Sequence, residues 1–232
     1  MKTIGLIGGM SWESSADYYR LLNEEVHARL GGYHSARCVM VSVDFADIET
    51  LQHEGRWREA ADRMAEAACQ LERAGADFII LCTNTMHKSA TAITQAVSIP
   101  FIHIADPTAQ AIQTQGLVTI GLLGTRFTME EDFYKGRLSE QFGLNVVIPD
   151  AVDRETVHRV IYDELVQGEI LAESRHAYRE IIRHLVAKGA QGIILGCTEI
   201  GLLIAPSDAP VPIFDTTRLH ALAAVNFALE TP

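Results

Sequence analysis

The chain has few cysteines and no apolar run long enough to cross a bilayer. Four cysteines occur among its 232 residues, and no two of them have the C-x-x-C spacing of zinc or redox sites. This excludes a disulfide framework and leaves each cysteine as a packing group or a reactive thiol. The lack of a long apolar run argues against a membrane-spanning helix. The apolar stretch at the start of the chain is too short for a signal-peptide core. We therefore expect a cytoplasmic protein.

Positive charge is also scarce. The chain has 19 Lys and Arg against 30 Asp and Glu, a net charge of -11, and only four of the cations are lysines. Such a chain repels nucleic-acid phosphates and anionic membranes, so we expect small molecules as partners, not nucleic acid or membranes. The apolar fraction of 48% and the length are sufficient for one large domain or two smaller ones.

Short β-rich runs alternate with stretches of helical spacing along the whole chain. This order favours an α/β fold with parallel sheets covered by helices on both faces. The predicted strands are residues 3–7, 37–43, 77–81, 99–104, 117–123, 145–148, 192–195 and 211–214. The predicted helices are residues 11–30, 56–73, 87–95, 108–115, 128–141, 153–167, 172–187 and 216–229.

Three segments of the first half recur in the second half, in the same order and at a nearly constant offset. Chance is a poor explanation for three such matches. We therefore predict two similar α/β halves related by a pseudo-two-fold axis. The matching pairs are Thr3–Gly8 with Thr119–Gly124, Gly75–Leu81 with Gly189–Leu195, and Ile99–Ile102 with Val211–Phe214.

The second match aligns Thr83 with Cys197, and each residue stands where a predicted strand gives way to a loop. Ligands of open α/β sheets bind at that carboxyl edge. If the halves face each other, the two residues approach one substrate from opposite sides, which places the active site at the interface between the halves. Racemisation needs that arrangement, because a proton leaves one face of a carbon and another returns to the opposite face. A thiol suits the task, since its ordinary pKa is about 8.5 and a following helix start is expected to lower it.

Hydrogen-bond donors surround both predicted proton-transfer groups. Asn84 and Thr85 follow Thr83, and Thr198 follows Cys197. A carbanion at Cα spreads its charge into the α-carboxylate, which needs such donors. Loop amides near Thr125 add further candidates, since helix N-termini favour anions. Capping of the next helix is an alternative role for Asn84 and Thr85.

Three segments resemble the signature segments of the aspartate/glutamate racemases, and the resemblance extends over essentially the whole chain. It implies a racemase without pyridoxal phosphate or metal, with an amino-acid substrate and commonly a homodimer. It also implies that the C-terminal helix packs on the first domain, so that the domains are 1–98 plus 208–232 and 99–207. The segments are Ile4–Ser14, Leu81–His87 and Leu195–Glu199.

The resemblance adds three substrate-binding candidates. Glu199 follows the Cys-Thr pair, as in the aspartate-racemase branch. Gln52 is the candidate for a residue that reaches the substrate from near the end of the second strand. Met10 is a candidate pocket residue, with a core contact as the alternative.

The sequence departs from the family pattern at two places. Thr83 stands where the family has its first catalytic cysteine, and the neighbouring Cys82 points to the opposite face of its strand. Because the second-half cysteine serves L substrates in the family, we expect a bias toward the L form. The second departure is a lack of cations: residues 42–52 contain no Lys or Arg, and Asp163-Glu164 stands in the region of a family lysine.

The favoured function is racemisation of aspartate or glutamate. Three alternatives stay open. The first is a broad-specificity racemase of polar amino acids. The second is a related enzyme, either a single-cysteine decarboxylase or one similar to maleate isomerase. The third is an amino-acid-binding protein without catalysis.

Overall fold

A computed structural model describes residues 1–230, which form two compact units. The first unit comprises residues 1–104 and the segment from His220 onward, and its elements alternate between strand and helix. They are β1 Ile4–Gly8, α1 Trp12–Leu30, β2 Cys38–Ser42, α2 Phe45–His53, α3 Trp57–Arg73, β3 Phe78–Leu81, a 3-10 helix Thr85–Ser89, α4 Ala90–Ala96 and β4 Phe101–Ile102.

The second unit comprises Ala105–Leu219 and repeats the alternation. The last helix begins in this unit and ends in the first. The elements are α5 Ala105–Thr114, β5 Thr119–Gly124, α6 Arg126–Glu130, α7 Asp132–Phe142, β6 Asn145–Val147, α8 Ala151–Asp163, a 3-10 helix Leu165–Gln167, α9 Ala172–Ala187, β7 Ile193–Gly196, α10 Ile200–Leu203, a 3-10 helix Pro206–Asp208, β8 Ile213–Asp215 and α11 Thr216–Leu229.

Each unit contains a four-stranded sheet with the same strand order. The orders are β2-β1-β3-β4 and β6-β5-β7-β8, and every pairing is parallel. The predicted fold class, two similar α/β halves with parallel sheets, is confirmed. In both units the two central strands are buried, apart from the half-buried Thr119 at the start of β5, which explains their near-continuous apolar sequences.

The sequence repeat is matched by equivalent backbone hydrogen bonds in the two units. The amide of Asp77 donates to the carbonyl of Thr3 at 2.8 Å, and the amide of Gln191 donates to the carbonyl of Thr119 at 2.9 Å. These four residues occupy equivalent positions in the two halves. The matching segments therefore build the same local connection between the first and third strands of each unit.

Helix α11 packs on the first unit. Ala224 and Val225 on this helix share a core with Tyr18 and Leu22 of α1. Because α11 buries its apolar side chains in a core shared with α1 and with strands β1 and β3, the first unit is built from two separate stretches of chain.

The bounds of the units differ from the expected 1–98 plus 208–232 and 99–207. Residues 99–104 lie in the first unit because β4 pairs with β3. Residues 208–219 lie in the second unit because β8 pairs with β7. The chain passes from the first unit to the second after Ile104 and returns after Leu219.

Local structure differs from the sequence prediction at several points. Helix α2 was not predicted, although Asp44 caps it by accepting a hydrogen bond from the amide of Ala46 at 3.1 Å. The predicted helix over 128–141 is broken at Glu131, whose backbone is extended and separates α6 from α7. Ser11 caps α1, accepting a hydrogen bond from the amide of Ser14 at 3.3 Å. Within residues 1–230, no helix is long and apolar enough to cross a membrane.

Candidate active site

In the first unit, the candidate residues follow the carboxyl end of β3. The amide of Cys82 still bonds to β1, donating to the carbonyl of Ile7 at 2.9 Å. Thr83, Asn84 and Thr85 then leave the sheet, and all three are buried. Their polar side chains lie at the edge where parallel α/β sheets bind ligands.

The backbone of this segment is held by two side chains. The hydroxyl of Ser14 donates to the carbonyl of Cys82 at 3.4 Å, and Nδ1 of His87 lies 2.7 Å from the carbonyl oxygen of Thr83. Cys82 itself belongs to the apolar core, where burial raises the pKa of its thiol well above the usual range. Its thiol is thus an inert packing group, whereas Thr83 continues into the loop.

Met10 and Gln52 lie in the core beside the same loop. Both are buried, and the side-chain amide of Gln52 donates to Sδ of Met86 at 3.2 Å. Met10 and Met86 belong to one apolar cluster. The expected location of Gln52 near the end of the second strand is wrong: β2 ends at Ser42, and Gln52 lies in α2 because the unpredicted helix carries the chain away from the strand.

In the second unit, the candidate residues follow two paired strands. Gly124 of β5 and Gly196 of β7 are register partners, so Thr125 and Cys197 leave the sheet at neighbouring positions. Thr125 is buried and caps α6, accepting from the amide of Thr128 at 3.3 Å. Cys197 follows β7 in the second unit as Thr83 follows the equivalent strand β3 in the first, so equivalent strand ends lead to a cysteine in one half and to a threonine in the other.

Cys197, Thr198 and Glu199 form a compact hydrogen-bonded group. The thiol of Cys197 donates to Oε2 of Glu199 at 2.9 Å, and the hydroxyl of Thr198 donates to the same oxygen at 2.7 Å. Glu199 is only 3% exposed, while Cys197 is half-buried. The carboxylate lies where it can accept the thiol proton, a role that the sequence analysis did not assign to it. Its position two residues after the cysteine was the available signal.

The thiol of Cys197 is held in its protonated form. Burial raises its pKa well above the usual range, and the charge and hydrogen bond of Glu199 raise it further. The backbone amides of Glu199 and Thr198 lower the pKa, but not enough to compensate. The expected net lowering by a helix start is therefore wrong. The helix that follows, α10, has only four residues, and a carboxylate stands beside the thiol.

A second polar network lies deeper in this unit. Glu164 is 7% exposed and accepts hydrogen bonds from the hydroxyl of Ser174 and, at 3.3 Å, from Arg159. The buried Tyr178 donates to the carbonyl of Val157 at 3.0 Å. Burial raises the pKa of Tyr178 well above the usual range, and the charges of Cys197 and Glu164 add to the increase.

The structure thus brings the candidates together within each unit. The first unit holds Met10, Gln52, Thr83, Asn84 and Thr85, and the second holds Thr125, Cys197, Thr198 and Glu199. Among residues 1–230, no group of three or more His, Cys, Asp or Glu side chains is arranged to hold a metal ion.

Known proteins are similar to this chain in sequence and structure over most of its length. The family model for Asp/Glu/Hydantoin racemase matches residues 7–224. The broad-specificity amino-acid racemase RacX of Bacillus subtilis (strain 168) is 25% identical over 175 residues, which cover 72% of each chain.

Two solved structures are similar over nearly the whole chain. A Yersinia pestis protein provisionally described as an Asp/Glu racemase is 56% identical, with a TM-score of 0.93 and coverage of 99% of this chain and 100% of that one. An aspartate racemase homologue from Pyrococcus horikoshii OT3 is 33% identical, with a TM-score of 0.83 and the same coverage. The predicted family and the predicted enzyme class, an isomerase, are confirmed. The chain belongs to the Asp/Glu/hydantoin racemase family.

Proposed function

We propose that this protein racemises aspartate or glutamate without a cofactor, with a bias toward L substrates. Cys197 and Thr83 act on opposite faces of Cα. The observation that carries the proposal is the 2.9 Å hydrogen bond from the thiol of Cys197 to Glu199, at the position equivalent to Thr83. By its resemblance to the family, we also propose that it acts as a homodimer.

On the Cys197 side, the reaction starts from the protonated, neutral thiol. Oε2 of Glu199 already accepts the thiol hydrogen bond, so the proton has a short path to the carboxylate. The resulting thiolate is stabilised by the amides of Thr198 and Glu199, which favour the charged form. The thiolate then removes the Cα proton of the L substrate, as a general base.

On the Thr83 side, a hydroxyl replaces the second thiol. A threonine hydroxyl is a poor base but donates a proton readily when it takes one from water at the same time. The barrier on the Thr83 face is therefore higher than the barrier on the Cys197 face, so a carbanion formed from the L substrate returns to L more often than it crosses to D, and a D substrate loses its Cα proton slowly. This inequality is the physical basis of the proposed L bias.

The carbanion is stabilised through the α-carboxylate. Asn84 and Thr85 are buried donors beside Thr83, while Thr198 and Thr125 lie at the strand ends of the second unit. Fixed donors in a site shielded from water stabilise developing charge strongly, typically by about 3 kcal/mol for a single donor. We assign these four residues to the α-carboxylate, with the hydroxyl of Thr198 turning from Oε2 of Glu199 to the substrate when the substrate binds.

A second candidate function, racemisation of a broader range of polar amino acids, is favoured by the surroundings of Glu164. Glu164, a buried carboxylate that accepts hydrogen bonds from Ser174 and Arg159, stands in the region where, by the family resemblance, a lysine would bind an acidic side chain. The similarity to RacX, a broad-specificity racemase, points the same way. Comparing acidic with neutral polar substrates distinguishes the two functions.

The decisive experiment follows the Cα proton by NMR in D2O, with single enantiomers of aspartate, glutamate and several neutral polar amino acids. We expect rapid Cα exchange of L substrates with slower inversion, and much slower Cα exchange of D substrates, because the L proton is exchanged on the Cys197 face alone. Cys197→Ala should abolish the exchange. Cys38→Ala, which removes a half-buried cysteine outside the site, is the matched control and should retain activity.

Other outcomes select the alternatives. Binding without any Cα exchange identifies an amino-acid-binding protein. Failure to bind amino acids, combined with turnover of malonates or maleate, identifies a decarboxylase or isomerase of that kind. Equal rates of Cα exchange for D and L substrates contradict the proposed roles of Cys197 and Thr83.

A Thr83→Cys variant tests the face assignment directly. A thiol at this position restores a competent base on the second face, so activity on D substrates should rise at least about tenfold, reflecting the stronger acid–base group. The measurement is the initial rate of Cα deuterium exchange for each enantiomer. Faster reaction of the L form alone would contradict the assignment.

A further inference from the structure

We propose that His87 is a positioning residue that fixes Thr83 for proton delivery, an inference that rests on the proposed function. His87 lies four residues after Thr83, within the 3-10 helix that follows the loop. Its imidazole is 2% exposed, so it does not take part as a solvent-facing acid or base. What it does is connect two backbone segments.

Both ring nitrogens of His87 contact the backbone. Nδ1 lies 2.7 Å from the carbonyl oxygen of Thr83, and Nε2 accepts a hydrogen bond from the amide of Ile104 at 3.1 Å. Ile104 is the last residue before the chain enters the second unit. The imidazole thus ties the end of the loop after β3 to the end of the segment after β4.

The two contacts determine the tautomer. A backbone amide only donates, so Nε2 must carry a lone pair. A carbonyl oxygen only accepts, so Nδ1 must carry the hydrogen and donate it to Thr83. Both bonds form with the neutral imidazole, and protonation of Nε2 would break the bond to Ile104. The group is therefore a rigid neutral bridge.

Neighbouring rings hold the imidazole in this orientation. The ring of His103 lies 4.4 Å from that of His87, centre to centre, and the ring of Phe101 lies 5.5 Å away. The ring of His220 lies 5.9 Å away and is itself bonded through Nε2 to the carbonyl of Ile102 at 2.9 Å. These rings pack against the imidazole and restrict its rotation, which favours the observed geometry of the bond to Thr83.

The second half lacks this bridge. In the repeat alignment, Gly201 occupies the position of His87, just as Cys197 occupies that of Thr83. The carbonyl of Cys197 instead accepts from the amide of Ile200 at 3.2 Å, within its own turn. The imidazole bridge is thus found only in the half whose proton-transfer group is a hydroxyl. A hydroxyl must stand at a fixed place to relay a proton, because its effect depends on a short hydrogen bond to the substrate.

Two substitutions separate the two bonds of His87. Asparagine places an amide donor near the position of Nδ1, so H87N retains the bond to Thr83 and loses the one to Ile104. Glutamine reaches the position of Nε2 with an acceptor, so H87Q retains the bond to Ile104 and loses the one to Thr83. Both variants have a similar size and a neutral polar side chain.

The readout is a ratio measured on L substrate in D2O. Deuterium that enters the L pool reports proton removal and return on the Cys197 face, and D product reports delivery on the Thr83 face. We expect H87Q to lower the yield of D product per exchanged L molecule by about fivefold or more, because an ångström of misplacement costs up to about a hundredfold. H87N should stay within about twofold of the unmodified protein.

General loss of structure lowers both rates together and leaves the ratio unchanged, so an unchanged ratio in H87Q overturns the proposal. A ratio that falls equally in both variants also overturns it. If H87Q does not fold, H87A with and without imidazole decides: a ratio that falls and is restored by imidazole supports the proposal, and any other result overturns it. Absence of Cα exchange in the unmodified protein is a separate result, which overturns the proposed function and this proposal together.

Discussion

At the scale of the residue, the chemical state of Cys197 depends on its immediate neighbours. A thiol at a strand end with two backbone amides nearby would ordinarily be activated. Here burial is the largest influence on the pKa of the thiol and the negative charge of Glu199 is the next, and both raise it. The same carboxylate is the acceptor for the thiol proton. Glu199 therefore disfavours the thiolate in the resting protein, and its carboxylate is also the group that accepts the thiol proton during the reaction.

This dual role predicts opposite effects of Glu199→Gln on two measurements. Removing the charge lowers the pKa of Cys197 toward its usual range, so alkylation by iodoacetamide at pH 8 should become roughly three to ten times faster. Racemisation should fall, because the proton acceptor is lost.

The direction in which the alkylation rate of Cys197 changes with pH follows from the raised pKa of its thiol. In the unmodified protein the thiol is protonated at neutral pH, and its alkylation should accelerate steadily as the pH rises above 8, with the midpoint shifted downward in the Glu199→Gln variant. Cys197→Ala provides the background from the half-buried Cys38 and Cys69. Unchanged or slower alkylation in the Glu199→Gln variant would contradict the role of the carboxylate.

At the scale of the element, the repeat depends on close contact between a central strand and the turn that precedes the next strand. A Cβ at Gly5 of β1 would lie 2.9 Å from the Cβ of Ala76 and 3.0 Å from the carbonyl oxygen of Phe78. At the equivalent Gly121 of β5, a Cβ would instead meet the flexible tip of Ile193, at 2.7 Å. Glycine is needed at both positions, but the neighbours differ in how far they can yield.

This difference predicts unequal costs at equivalent positions. Gly5→Ala should lower the free energy of unfolding by about 1–3 kcal/mol, since backbone and a short side chain must move. Gly121→Ala should cost less, because Ile193 can change rotamer. Urea denaturation of the two variants makes the comparison, and an equal or greater loss in Gly121→Ala would contradict it.

At the scale of the whole molecule, the C-terminal helix decides which residues form the first unit. Its alanines, with Val225, allow α11 to approach Tyr18 and Leu22 of α1 closely. The hydroxyl of Tyr18 also lies 2.8 Å from Nδ1 of His220, the first residue after the chain returns. A stretch more than a hundred residues distant in sequence thus completes the first core.

We therefore expect Ala224→Leu to destabilise the protein. Ala224 is completely buried, and a larger side chain separates α11 from α1, which typically costs about 1–3 kcal/mol. Asn226→Leu introduces the same side chain at an exposed position of the same helix and should stay within about 0.5 kcal/mol of the unmodified protein. Thermal and urea unfolding measure both, and equal stability of the two variants would count against the packing of α11.

The sequence by itself determined the fold class, the duplication and the family. It could do so because buried parallel strands are near-continuous apolar runs, and because matching segments such as Thr3–Gly8 and Thr119–Gly124 survive in both halves. It also indicated Thr83 and Cys197 through their aligned strand ends, an assignment that stays a prediction.

Only the tertiary structure decided what surrounds those residues. The raised pKa of Cys197 depends on burial and on the side-chain position of Glu199, and the bridge from Thr83 to Ile104 depends on the orientation of the His87 ring. Gln52 lies in a helix because Asp44 caps it, a contact that the apolar pattern does not record. Periodicity in a sequence reports which face of an element is buried, whereas hydrogen-bond partners and desolvation arise only when distant segments meet.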